Sequence, residues 1–200
     1  MFFGHLSIRQ IVLKNTFWLA LAHFVAKVLK FFLIPFAARI LGPGQYGTFA
    51  YTTSLILFFF SFSDLGLNAI LIREFQKKER PLSALLDTIL TLKLALGCIG
   101  CIAASIGYFL LTDPLVKTVY FILLLHGLTN WAKDFLFNLA QAHNRMEYQA
   151  ISFIIEAVLV TFFGILILLK TRSFILFCWV YLISSFIAFL ILTFFLQGRP

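Results

Sequence analysis

Six predominantly apolar stretches of twenty or more residues fill this chain, and no other feature limits its fold as strongly. They run from Thr16 to Ile40, Gly47 to Ile72, Ser83 to Leu111, Val119 to Gln141, Ala150 to Leu169 and Phe174 to Leu196. A helix needs about 20 apolar residues to cross the hydrocarbon core of a bilayer, and a tilted barrel strand needs about half as many. In lipid every backbone N–H and C=O must find its partner within the protein, so runs of this length predict helices. Composition agrees, with 62% hydrophobic residues and only 12% charged, where soluble domains carry about 25% charge. The expected fold class is all-α: a polytopic membrane protein, with residues 1–200 forming a single bundle of about six transmembrane helices. A soluble enzyme is excluded.

Turn chemistry separates the stretches. Gly42-Pro43-Gly44 follows the first, Asp113-Pro114 follows the third, and the charged run from Arg73 to Pro81 follows the second. The apolar segment after Lys14 is too short before Ala20-Leu21-Ala22 to serve as a cleaved signal peptide, so it is expected to be the first membrane helix. Orientation follows from the cations near the helix ends. With the N-terminus inside, eight fall on the inner side (Arg9, Lys14, Arg73, Lys77, Lys78, Arg80, Arg145, Arg199) and four on the outer (Arg39, Lys117, Lys170, Arg172). Both termini are expected to face the cytoplasm. The formal net charge of +8 is therefore a topology signal, and no basic patch with interleaved aromatics suggests nucleic acid as a partner.

Cys98 and Cys101 form a CxxC inside a small-residue cluster, Gly97 to Ser105. No second ligand pair follows at zinc spacing, and small residues let membrane helices approach closely. Close packing is the expectation, with no metal and no cofactor. No phosphate-cradling glycine loop, HExxH or nucleophile elbow is present. The chain is not expected to be an enzyme.

Ionisable residues at membrane depth cost about 2.5 to 3.5 kcal/mol each on insertion scales, and so usually face a bundle interior or a wet cavity. Here they fall on helical faces. His23, Lys27 and Lys30 share one face of the first helix. His126, Asn130, Lys133, Asp134, Asn138 and Gln141 follow the helical period through the fourth. The second carries Ser54, Ser61, Asp64 and Asn68, and the fifth begins with Gln149, Ser152 and Glu156. Asp87 and Thr91 share a face of the third helix, with Lys93 on another. The sixth has no charge and is expected to border lipid. His5 and His143 are expected to be solvated loop residues. Four striped helices can enclose a water-accessible cavity with more cations (Lys27, Lys30, Lys133, with Lys93, His23 and His126) than acids (Asp64, Asp134, Glu156). A cation excess at low dielectric favours an anionic ligand such as a diphosphate. Each of these charges also has a structural reading, as one half of an interhelical ion pair.

Asn15-Thr16-Phe17-Trp18, Ala38-Arg39-Ile40-Leu41-Gly42-Pro43-Gly44-Gln45-Tyr46-Gly47-Thr48-Phe49, Asp64-Leu65-Gly66-Leu67 and Arg73-Glu74 occur in that order. This pattern resembles the N-terminal part of the polysaccharide flippases, the O-antigen and capsule repeat-unit translocases of the multidrug/oligosaccharidyl-lipid/polysaccharide exporter superfamily. The motif residues are Arg39, Gly42, Tyr46, Gly47, Asp64, Gly66, Arg73 and Glu74. Gly42 to Gly44 are expected to form a tight outer turn, and Gly47 and Gly66 to permit close helix approach.

The resemblance implies transport of an undecaprenyl-diphosphate-linked oligosaccharide across the inner (cytoplasmic) membrane, for lipopolysaccharide or capsule biosynthesis. It also implies two six-helix lobes around a cationic cavity. Lys27, Lys30, Lys133 and His23 suit the diphosphate-binding role by position and charge, and Asp64 and Glu156 are the candidates for carrying a coupling proton or sodium ion. The chain supplies one lobe, as a truncated or split product or as one half of a homodimer, so a second lobe is an expected partner beside lipid and the lipid-linked oligosaccharide. Two alternatives stand. One is a multidrug exporter of the same superfamily, whose cavity favours acids. The other is a non-transporting scaffold, or remnant, holding glycosyltransferases and a polysaccharide polymerase.

Overall fold

The computed structural model describes residues 8–62, 66, 70, 82–142 and 145–197. Five helices account for nearly all of them: α1 (Ile8–Ser61), α2 (Leu82–Leu110), α3 (Pro114–Ala142), α4 (Met146–Thr171) and α5 (Phe174–Gln197). All five are long and apolar enough to cross a membrane, and the protein is an all-helical, polytopic membrane protein.

The first two predicted helices form one element, α1, interrupted at a single non-helical residue, Gly42 (φ 77°, ψ 165°). Straight, its 54 residues would reach about 80 Å at 1.5 Å per residue, far beyond any bilayer. Instead the chain turns back at Gly42. Leu33 and Phe49 would lie about 24 Å apart along a straight helix, yet both approach the ring of Phe177 in α5. The arms 8–41 and 43–61 are thus two passes joined at a left-handed glycine, the conformation that costs glycine least, with Pro43 directly after it. The motif explains the turn. It does not explain the other two glycines as expected. A side chain added at Gly47 or Gly66 would meet nothing within 4 Å, so neither serves close packing among the described residues. Gly66 has φ +82° and is needed for its backbone conformation.

At one end of the bundle the Lys14 ammonium in α1 pairs with the Glu147 carboxylate in α4 at 3.4 Å, and the Gln141 amide in α3 donates to Gln149 in α4 at 2.9 Å. The first arm of α1 and α4 therefore start at the same face, with α3 running against both. At the opposite end, Asp113 caps α3 by accepting from the Leu115 N–H at 2.8 Å and the Val116 N–H at 3.4 Å, with Pro114 at the first helical position. Arg172, left-handed at φ 49°, closes α4 by donating its N–H to Leu168 O. Ser173 is the other residue of the short α4–α5 link and accepts from the Leu176 N–H at 3.4 Å.

α1 packs most extensively along α4, and α5 along both α3 and α4, while α2 lies at the edge against α1 and α3. The core gathers around Leu33, Phe49, Ile56, Tyr120, Leu123 and Phe177. α5 has two faces, and the inner one buries Phe174, Phe177, Ser184, Ser185 and Ala188. Its outward side chains, among them Ile183, Phe186, Leu190 and Phe194, are exposed. Absence of charge marked a helix packed by small and aromatic residues as well as one touching lipid. The small-residue cluster of α2 does serve approach, because a Cβ at Gly97 would lie 2.3 Å from the indole of Trp131 in α3. Cys98 is exposed and Cys101 half-buried. No group of residues that could hold a metal occurs among the described residues.

Candidate functional site

Both arms of α1, together with α3, α4 and α5, enclose a cavity of about 440 Å³. Ala26, Lys30 and Ile34 come from the first arm and Tyr46, Phe49, Thr53 and Leu57 from the second. α3 contributes His126, Asn130, Lys133, Asp134 and Phe137. α4 contributes Phe153, Glu156, Ala157 and Val160, and α5 contributes Tyr181. Helical periodicity explains the α3 group: residues 126, 130, 133, 134 and 137 fall on one side of the helix.

The centre of the site is an ion pair between Lys133 Nζ and the Glu156 carboxylate. The lysine side chain is 2% exposed and the glutamate 19%, so the carboxylate is the wetter partner. A buried ammonium is tolerable only with such a counter-charge and hydrogen bond. Above the pair, Ser185 Oγ donates to Asn130 Oδ1 at 3.2 Å, which turns the Asn130 amide nitrogen toward His126 Nε2 at 3.0 Å. The same amide nitrogen lies 3.4 Å from Nδ1, so it faces both ring nitrogens as a donor. Tyr181 packs edge-on against the same imidazole with centroids 5.8 Å apart. A partly buried serine–asparagine–histidine chain thus joins α5 to the α3 face that carries Lys133.

The sequence-predicted residues divide. Lys30, His126, Asn130, Lys133, Asp134 and Glu156 meet at the cavity, with Lys30 and Asp134 exposed there. His23 and Lys27 are not among the lining residues. They lie on an exposed flank of α1, where His23 rests against Phe153 with centroids 5.0 Å apart. Lys93 is buried between α2 and α3, away from the cavity. On the second arm the polar face points elsewhere: Ser54 is exposed and Ser61 donates back to Leu57 O at 2.8 Å, while Thr53 faces the cavity. The predicted stripe on α4 is shared among three neighbours. Gln149 accepts from Gln141, Ser152 donates to Ala188 O at 3.2 Å, and only Glu156 reaches the cavity. Asp64, Asn68, Arg73, Glu74 and His143 lie outside the described residues. Of the remaining motif residues, Arg39 is exposed and Tyr46 lines the cavity.

Among the described residues the wall carries two lysines, two carboxylates and His126, without the expected excess of lysines over acids. The site therefore presents an accessible acid beside a buried base, with Lys30 reaching in from α1. Thr53, Tyr181 and Ser185 do not stand out from sequence as site residues, because uncharged residues carry no penalty that marks them. The spacing of Tyr181 and Ser185, one helical turn apart on α5, is the available signal.

A family model described as polysaccharide biosynthesis protein matches residues 12–198 of the chain. No curated protein and no solved structure gives a significant match.

Proposed function

The chain belongs to the polysaccharide biosynthesis protein family, and on that premise we propose that it is a flippase moving an undecaprenyl-diphosphate-linked oligosaccharide across the cytoplasmic membrane. The observation that carries this reading is the Lys133–Glu156 pair in the cavity wall. A buried lysine needs an anionic partner. In the structure Glu156 fills that role, and a diphosphate entering the cavity takes it over, with Lys30 as a second ligand from α1. The diphosphate brings two negative charges, which Lys133 and Lys30 offset, and the displaced Glu156 carboxylate then needs a cation of its own. The released Glu156 carboxylate is then the group that picks up the coupling proton or sodium ion. Both termini face the cytoplasm in this arrangement, as the distribution of Lys and Arg requires. In this reading a second lobe closes the exposed side of Lys27 and Lys30.

The test is binding of a labelled undecaprenyl-diphosphate sugar to the purified full chain. A hydrogen bond to a charged group contributes about 1.5 to 3 kcal/mol, so Lys133→Gln and Lys30→Gln should each weaken binding about tenfold or more. Inorganic diphosphate should compete with the labelled lipid. Unchanged affinity in both variants would remove the diphosphate role. Export of cationic drugs is the second reading, favoured by the two carboxylates on the wall. Binding of a lipophilic cation that is lost in Glu156→Gln and retained in Lys133→Gln would select it.

A further inference from the structure

The cavity has two chemically different ends. On α3, His126 stands two turns, about 10 Å, nearer the Gly42 end of the bundle than Lys133 does. There four rings adjoin one another across three elements. Tyr46 and Phe49 of the second arm of α1 have centroids 6.1 Å apart, Phe49 and Tyr181 of α5 5.0 Å, and Tyr181 and His126 5.8 Å. All four residues line the cavity. This wall begins one turn past Gly42, at Tyr46, whereas Lys30 lies three turns before it. No lysine, arginine or carboxylate belongs to the wall.

Thr53 continues the same face of the second arm one turn beyond Phe49. Its hydroxyl is buried and has no hydrogen-bond partner among the described residues. A threonine hydroxyl on a helix readily donates to the carbonyl one turn earlier, as Thr118, Thr129 and Thr193 do here at 3.0, 2.9 and 2.8 Å. The Thr53 hydroxyl does not, and it remains an unmet donor and acceptor at the cavity wall.

Aromatic faces beside unmet hydroxyls suit a pyranose. The C–H face of the sugar is weakly positive and is attracted to the negative face of an aromatic ring. Its hydroxyls can donate to and accept from Tyr46, Thr53 and Tyr181. A lipophilic cation would be held by the rings and would leave the Thr53 hydroxyl unmet. A carboxylate would find no cation in the wall to offset its burial.

Building on the flippase reading, we propose that this end of the cavity is the subsite for the sugar bonded directly to the diphosphate, and that it takes a neutral pyranose and rejects a uronic acid. The diphosphate then rests on Lys30 and Lys133, with the sugar toward the Gly42 end. At about 440 Å³ the cavity is in the lower part of the range of small-molecule sites, so it reads the first sugar and not those beyond it.

Equilibrium binding to the purified full chain in detergent tests this at about pH 8, where an ordinary imidazole is neutral. The probes are undecaprenyl diphosphate, the same lipid bearing one glucose, and the same lipid bearing one glucuronic acid, which differs from glucose only at C6. Wild type should bind the glucosyl lipid about tenfold more tightly than the bare lipid, and the glucuronosyl lipid no more tightly than the bare one. Tyr181→Phe, which keeps the ring and removes the hydroxyl, and Thr53→Val, which keeps the shape, should each reduce the glucose gain severalfold. Equal affinity of wild type for the bare and glucosyl lipids, a gain undiminished in either variant, or equal gains for glucose and glucuronic acid overturns the proposal. Lys30→Gln/Lys133→Gln separates the subsite from the reading beneath it. Weaker binding of all three lipids by that variant supports the diphosphate site whatever the sugar gain, and unchanged binding of the bare lipid removes the diphosphate site and the subsite with it.

Discussion

Replacing Glu156 by leucine keeps its approximate volume and strips Lys133 of its counter-charge. The asymmetry of the pair sets the size of the effect. Both line the cavity, but Lys133 is 2% exposed and Glu156 19%, so the carboxylate is the wetter partner. Removing one partner of a buried pair and leaving the other charged costs about 3 to 5 kcal/mol. Removing the lysine instead, as Lys133→Met, leaves a carboxylate that water in the cavity can reach, at about 1 to 3 kcal/mol. For a chain of this size 1 kcal/mol moves the melting temperature by about 2 to 4 °C. Glu156→Leu should therefore melt about 6 to 12 °C or more below wild type, and Lys133→Met should fall less. The double variant replaces the pair by apolar side chains and should recover most of the loss, since such replacements are often neutral or stabilising. The assay is size-exclusion thermostability of the full chain in one detergent at fixed pH. Singles that melt with wild type, or a double variant whose loss equals the sum of the singles, would refute the assignment of Glu156 as the counter-charge of Lys133.

Two backbone predictions are simpler. Gly97→Ala places a methyl 2.3 Å from the Trp131 ring, an overpacking that should cost about 1 to 3 kcal/mol. Thermostability reads it, and combining it with Trp131→Leu should restore part of the loss. Gly42→Ala forces a side chain onto φ 77° at about 1 to 3 kcal/mol. Gly44→Ala, where a Cβ meets nothing within 4 Å and φ is not positive, should be near neutral in the same assay.

Much of the architecture is readable because lipid leaves few choices. Long apolar runs must be helices, and the face of α3 carrying His126, Asn130, Lys133 and Asp134 shows in the spacing alone. Partnership is not readable. Nothing local to Lys133 points to Glu156, 23 positions away on another helix, in preference to its neighbour Asp134. The stripe on α4 looks like one surface because periodicity reports direction along a helix and not which neighbour lies there. It divides among α3, α5 and the cavity. On α1 the same limit placed His23 and Lys27 with Lys30, although of the three only Lys30 lines the cavity. Gly47 and Gly66 match a motif whose physical reason at those positions is backbone conformation or none that packing supplies. The sixth helix shows the opposite failure, since Tyr181 and Ser185 carry no charge to betray a polar role.

The central claim, that the Lys30–Lys133–Glu156 cavity carries a lipid-linked diphosphate across the membrane, is tested most directly in proteoliposomes containing the full chain. The measurement is the time course by which a labelled undecaprenyl-diphosphate oligosaccharide, loaded on one leaflet, becomes accessible to an impermeant glycosidase on the other. Wild type should expose the pool well ahead of protein-free vesicles, and Lys30→Gln/Lys133→Gln should not exceed them. A wild-type rate equal to that of empty vesicles, or a double variant as fast as wild type, would contradict it.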